Sequence, residues 1–150
     1  MSQEEILQPK TFTVWKYVIG GFLAGLITAA LNNIIFFVLP LIQEIDFPHS
    51  LDEMALTIGS FIPPILASVF YFIVSSKNYS KGTKVYLAIV LIAFALSIVV
   101  QFFPEKLLEL GLLEEGDIPE NLALLTVPFH ITTALVALVF IPKFVGSKED

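Results

Sequence analysis

Few residues of this apolar chain can hydrogen-bond or titrate within its long hydrophobic runs, and they fall at helical spacing. Thr126, His130, Thr133 and Ala137 follow one another in steps of three or four, which sets them on one helix face. His130 is the only ionisable side chain well inside any apolar run. Such an imidazole could act as a base, carry a proton or contact a ligand; held neutral by an Asn or Thr, it is an ordinary core histidine. Asn32 and Asn33 raise a similar choice. An unpaired amide in hydrocarbon forfeits several kcal/mol, so each needs a partner helix, a water or a ligand. Ser60 and Gln101 complete the set, with Ser60 just ahead of Pro63 and Pro64. Two prolines remove two backbone donors and free carbonyls near Gly59 and Ser60, so a kink or break is expected there. Breaks of this kind line binding sites in some transporters, and prolines also bend ordinary membrane helices.

These residues need elements that hold them in an apolar medium. Of the 150 residues 56% are hydrophobic and 15% charged, with 14 phenylalanines and a mean hydropathy of +0.84. That leaves too few polar residues to coat a water-soluble globule, so lipid must be the outer solvent. Four runs, 17–39, 54–75, 85–103 and 122–141, contain no Asp, Glu, Lys or Arg and are long enough to cross about 30 Å of hydrocarbon. The expected fold is all-α: one membrane domain over 1–150, an integral bundle of four transmembrane helices. The first run is expected to be a span and not a secretory signal, because its leading segment carries Glu4 and Glu5 beside Lys10 and Lys16, and apolar residues continue to Leu39.

The lysines set the expected orientation, since cytoplasmic loops retain basic residues. Lys10 and Lys16 precede the first run, Lys77, Lys81 and Lys84 separate the second and third, and Lys143 and Lys148 follow the fourth; Lys106 alone lies on the other side. Both termini are then cytoplasmic, with Trp15, Tyr17, Tyr79 and Tyr86 as inner-interface anchors. Asn32, Asn33, Ser60, Gln101, Thr126 and His130 fall in the outer half of the bilayer, and little beyond Ser68 and Tyr71 is polar in the inner half. If the four faces converge, they make an outward-opening polar pocket above an apolar plug.

Of the two outer loops, the second has Pro104 and Gly111 placed to bound a short amphipathic helix over 105–110. In the first, Ser50 and Glu53 have capping-box spacing for the second span. His49, Asp52 and Glu53 are a poor cation set beside a simple solvated acidic loop, so no metal site is expected. Cysteine is absent, which excludes disulfides and thiolate chemistry. No phosphate-binding glycine loop, zincin helix or nucleophile elbow occurs, so no cofactor is expected, and no basic face suits nucleic acid.

In the first run Gly21 and Gly25 permit close approach of another helix, and Thr28, Ala29 and Asn32 continue that face. With Ala24 in the same run and Pro128, Phe129 and His130 in the fourth, the plan resembles uncharacterised bacterial four-helix membrane proteins grouped as a domain of unknown function. The resemblance implies a bacterial inner-membrane location and no particular activity; Pro63 and Pro64 are not part of it. Two functions remain open. One is a non-enzymatic subunit that assembles with itself or a membrane partner through the Gly21 and Gly25 face, with the lipid bilayer as its medium. The other is a transporter or small-ligand binder with a pocket near Asn32, Ser60 and His130. An enzyme with His130 as base would lack an accompanying acid or metal ligand within the membrane.

Overall fold

The computed structural model of the chain describes residues 10–43, 47, 52–111 and 122–146. The helices are α1 Lys10–Gln43, α2 Glu53–Ser75, α3 Tyr79–Gln101, α4 Pro104–Glu109, α5 Leu122–Leu135 and α6 Ile141–Gly146, with a π-helical turn, Val136–Phe140, joining the last two. Among the described residues, four stretches are long and apolar enough to cross a membrane: Val14–Ile42, Glu53–Ser75, Tyr79–Gln101 and Leu122–Gly146. The protein is thus an all-α bundle of four candidate spans. Its exposed residues include Phe22, Phe37, Leu66, Ile73, Ile92 and Leu96, an outer surface suited to lipid.

The third span begins earlier than its charge-free run, at Tyr79 instead of residue 85, and ends at Gln101. Asn78 caps it by accepting from the Lys81 amide at 2.9 Å, so Lys81 and Lys84 belong to the first turns of α3, and only Lys77 stays in the connection. Gly82 makes this short turn possible. A Cβ there would run into the carbonyl of Val74 and the backbone of Ser75, so only glycine lets α2 and α3 lie this close. Asp52, not Ser50, caps α2: its carboxylate accepts from the Ala55 amide at 2.6 Å, while Ser50 and His49 lie outside the described residues.

α2 runs through Pro63 and Pro64 without a break. A departure from α-helical hydrogen bonding lies in the fourth span, at Val136–Phe140. Pro142 offers a reason. In a wide turn the donor that would serve the Ala137 carbonyl belongs to residue 142, and proline has none. The Tyr86 hydroxyl donates to that carbonyl instead, at 2.8 Å. The short helix α4 forms as expected, with Pro104 in its first turn and Gly111 at φ 67° just beyond its end.

α1 packs most extensively on α2, and Gly21 and Gly25 are the reason. A Cβ at Gly21 would stand 2.7 Å from Ser68 Cβ, and one at Gly25 would stand 2.7 Å from the Phe61 carbonyl oxygen. The small-residue face is therefore consumed within the chain, against α2. α3 is peripheral by contrast: among its residues only Gly82 and Tyr86 are buried.

At the end where α2 turns into α3, the chain buries tyrosines. Tyr17, Tyr71 and Tyr86 are at most 6% exposed, and Tyr71 packs on both neighbours, with centroids 5.4 Å from Tyr17 and 4.5 Å from Tyr86. Tyr17 pairs with Ser75 Oγ at 2.7 Å, and Ser68 Oγ donates to the Tyr17 carbonyl at 2.6 Å. Tyr71 bonds Thr83 Oγ1 at 2.8 Å; Thr83 in turn donates to the Tyr79 carbonyl, so Tyr71 is the donor of that pair. Tyr17 and Tyr86 are thus core residues, not interface anchors, whereas Trp15 and Tyr79 remain exposed. Nor is this end an apolar plug. It is an aromatic core whose hydroxyls are all hydrogen-bonded, which is how a buried tyrosine is accommodated.

Candidate functional site

Toward the opposite end, α2, α3 and α5 surround a cavity of about 640 Å³. α2 and α3 are pinned together at their turn by Gly82 and by the contacts of Tyr71 with Thr83 and Tyr86. Beyond those contacts, the two helices flank a cleft floored by α5. Asn32, Ser60, Thr126 and His130 all line it, as do Ser97 and Thr133; the rest of its wall is apolar. Residues singled out in spans one, two and four are thus brought together around one cavity.

Asn32 is the hub. At 1% exposure, its Nδ2 donates to Ser60 Oγ at 2.8 Å and lies 3.4 Å from Thr133 Oγ1 and 3.5 Å from the Phe129 carbonyl. One amide therefore ties α1 to α2 and α5. Its Oδ1 has no hydrogen-bond partner, and neither does Oδ1 of Asn33. These are the two buried side-chain polar atoms left unpaired among the described residues, and such atoms cost about 1–3 kcal/mol each.

The threonines contribute less than their position suggests. Thr133 donates its hydroxyl hydrogen to the Phe129 carbonyl at 2.8 Å, and Thr126 shares its own between the Leu122 carbonyl at 2.7 Å and Gln101 Oε1 at 3.1 Å. What they present to the cleft is a lone pair. His130 is held by Gln101, whose Nε2 lies 3.1 Å from His130 Nε2, while Gln101 Oε1 lies 3.1 Å from Thr126 Oγ1. An amide nitrogen only donates, so with Gln101 in this orientation the imidazole Nε2 accepts and the neutral ring carries its proton on Nδ1.

Two of the residues expected in the pocket stand outside it. Asn33 turns to α2, donating to Thr57 Oγ1 and to the Ala29 carbonyl, both at 2.9 Å. Gln101 does not line the cavity and instead orients His130 from behind. The mouth also differs from the expected outward opening. Ala55, Gly59, Pro63 and Leu66 of α2 and Ile89 and Ala93 of α3 line the cavity and are exposed, so it opens sideways between the two helices. Phe47 helps to close the end. Its ring stacks on Phe36 at 4.6 Å and approaches Phe129 at 5.9 Å, across the helix ends near Asn32.

Compared with known protein families, curated proteins and solved structures, the chain matches none. What the site can do rests on its own chemistry. No Asp, Glu, Lys or Arg lines the cleft, and no cluster of potential metal ligands occurs among the described residues. Thr133 lines the cleft on the face that the spacing of span four marks, whereas Ser97 carries no distinctive signal and the π-helical turn has only Pro142 to mark it.

Proposed function

We propose that this multi-pass membrane protein binds a small apolar ligand in the cleft between α2, α3 and α5, without catalysing a reaction on it. The observation that carries the reading is the convergence of Asn32, Ser60, Thr126 and His130, from three helices, on one cavity of about 640 Å³. Ligand sites have this character: roughly 300–1,000 Å³, mostly apolar, with a few placed polar groups. The absence of a carboxylate from the lining supports a binding role over acid–base catalysis by His130. The rival assembly reading loses its proposed surface, because Gly21 and Gly25 already meet α2.

The lysine distribution supports an orientation with both termini cytoplasmic, and the resemblance noted above points to a bacterial inner membrane. Cysteines introduced at Asp46 and Asp117 are then expected to label from outside intact cells and one at Lys81 to stay protected; the reverse pattern would invert the topology. The binding role is tested in lipid nanodiscs with a photoreactive hexadecyl diazirine probe. Cross-links are expected at Ala67, Ala93 and Ala134 and should disappear in Ala93→Phe, which fills the mouth. Cross-links spread evenly over the outer faces of α1 and α3, and unaffected by that substitution, would contradict the reading.

A further inference from the structure

We infer that the ligand is a neutral, single-chain lipid whose head is one hydroxyl group, and that it enters the cleft sideways from the bilayer. This rests on the ligand-binding reading above and adds what the site selects. A chain moved from surrounding lipid into the cleft gains almost nothing from the hydrophobic effect, because lipid tails are as apolar as the leucines that would surround it. Selection must come from the polar end.

Charge and depth narrow that end. No charged residue lines the cleft, so a carboxylate, phosphate or ammonium head would be buried without a counter-ion. Asn32 lies ten residues before Ile42, Ser60 seven after Glu53 and His130 eight after Leu122. At about 1.5 Å per residue the polar cluster is roughly 10–15 Å below the helix ends, close to the middle of a hydrocarbon core about 30 Å thick. A phospholipid headgroup at the interface does not reach that depth, whereas a small uncharged group on a dissolved chain does.

The unpaired atoms specify the group. Asn32 Oδ1 is an acceptor without a donor, on a side chain that is 1% exposed and lines the cleft. His130 Nδ1–H is a donor with no partner among the described residues, since Gln101 occupies the other ring nitrogen. Thr126 and Thr133 have spent their hydrogens and offer only lone pairs. A hydroxyl is the smallest group that can both donate, as Asn32 Oδ1 requires, and accept, as His130 Nδ1–H requires. An ether or ester accepts without donating, and an alkane does neither.

The test is competition against the hexadecyl diazirine probe in nanodiscs, using hexadecanol, its methyl ether, hexadecane and palmitate. Hexadecanol should displace the probe about tenfold more effectively than the others. Asn32→Ala and His130→Gln, each checked for a parental circular dichroism spectrum and melt, should each reduce that preference toward unity while the cleft still takes the chain. His130→Gln serves alone if Asn32→Ala fails to fold. Equal competition by hexadecane or the ether, or stronger competition by palmitate, would overturn the hydroxyl assignment and leave the cleft reading standing. Labelling that no competitor displaces and that ignores Ala93→Phe would sink the cleft reading itself.

Discussion

Where α2 turns into α3, Tyr17, Tyr71 and Tyr86 are buried and each hydroxyl has a partner, whereas toward the other end Asn32 and Asn33 each keep an amide oxygen with none. The first region is fully satisfied and closely packed, with Gly82 against Ser75 and Gly21 against Ser68. The second holds a cavity and leaves polar valences open. Buried polar groups that are fully paired rigidify a core, and unpaired ones in a native structure call for a functional account. The contrast separates a region that holds the bundle together from one that is shaped to receive something.

If that division is right, substitutions at the tyrosine end cost more than those in the cleft. Gly82→Leu should be the most damaging, because its side chain would occupy the backbone of α2; we expect loss of several kcal/mol and little monodisperse protein in detergent. A normal yield and melt would show that the tight turn does not set the position of α3. Tyr86→Phe should cost about 1–3 kcal/mol in reversible unfolding, since it strands the Ala137 carbonyl that Pro142 cannot serve. Asn32→Ala should cost less, about 0.6 kcal/mol, the usual value for a hydrogen bond between membrane helices, because the amide it removes is only half satisfied. An Asn32→Ala loss larger than that of Tyr86→Phe would reverse the comparison. Smallest of all, Gly59→Ala adds a methyl group with nothing within 4 Å and should raise stability by about 0.5–1 kcal/mol through helix propensity, read as a higher melting temperature.

The four helices were legible because composition dominates: runs free of charge, longer than a bilayer core, have few other fates. Helix ends were less so. Lys81 and Lys84 close an apolar run by composition, yet the Asn78 cap and the Gly82 contact start α3 earlier, and lysine stems can lie along an apolar surface with their heads in water. Periodicity marked Asn32 in the first span and Thr126 and His130 in the fourth, since face arithmetic holds over a few helical turns, and the paired prolines drew attention to Ser60. Periodicity could not tell that Asn33, one step on, pairs with Thr57, or that the cleft opens sideways; both depend on how helices far apart in sequence approach one another. The tyrosines were misplaced for a related reason. The interfacial preference of aromatic residues is a statistical rule, while the partners that bury Tyr17 and Tyr86 lie at Ser75 and Ala137, more than 50 residues away.

The division between the two ends is most directly tested by methyl NMR of alanine-labelled protein in nanodiscs of deuterated lipid, titrated with hexadecanol. Ala93 and Ala134, which line the cleft, should shift and show contacts to the added chain, while the core residue Ala24 and the outer-face residues Ala88 and Ala95 stay unchanged. Shifts at Ala88 and Ala95 equal to those at Ala93 and Ala134 would mean that the added chain meets only the lipid-facing surface, and would contradict the account.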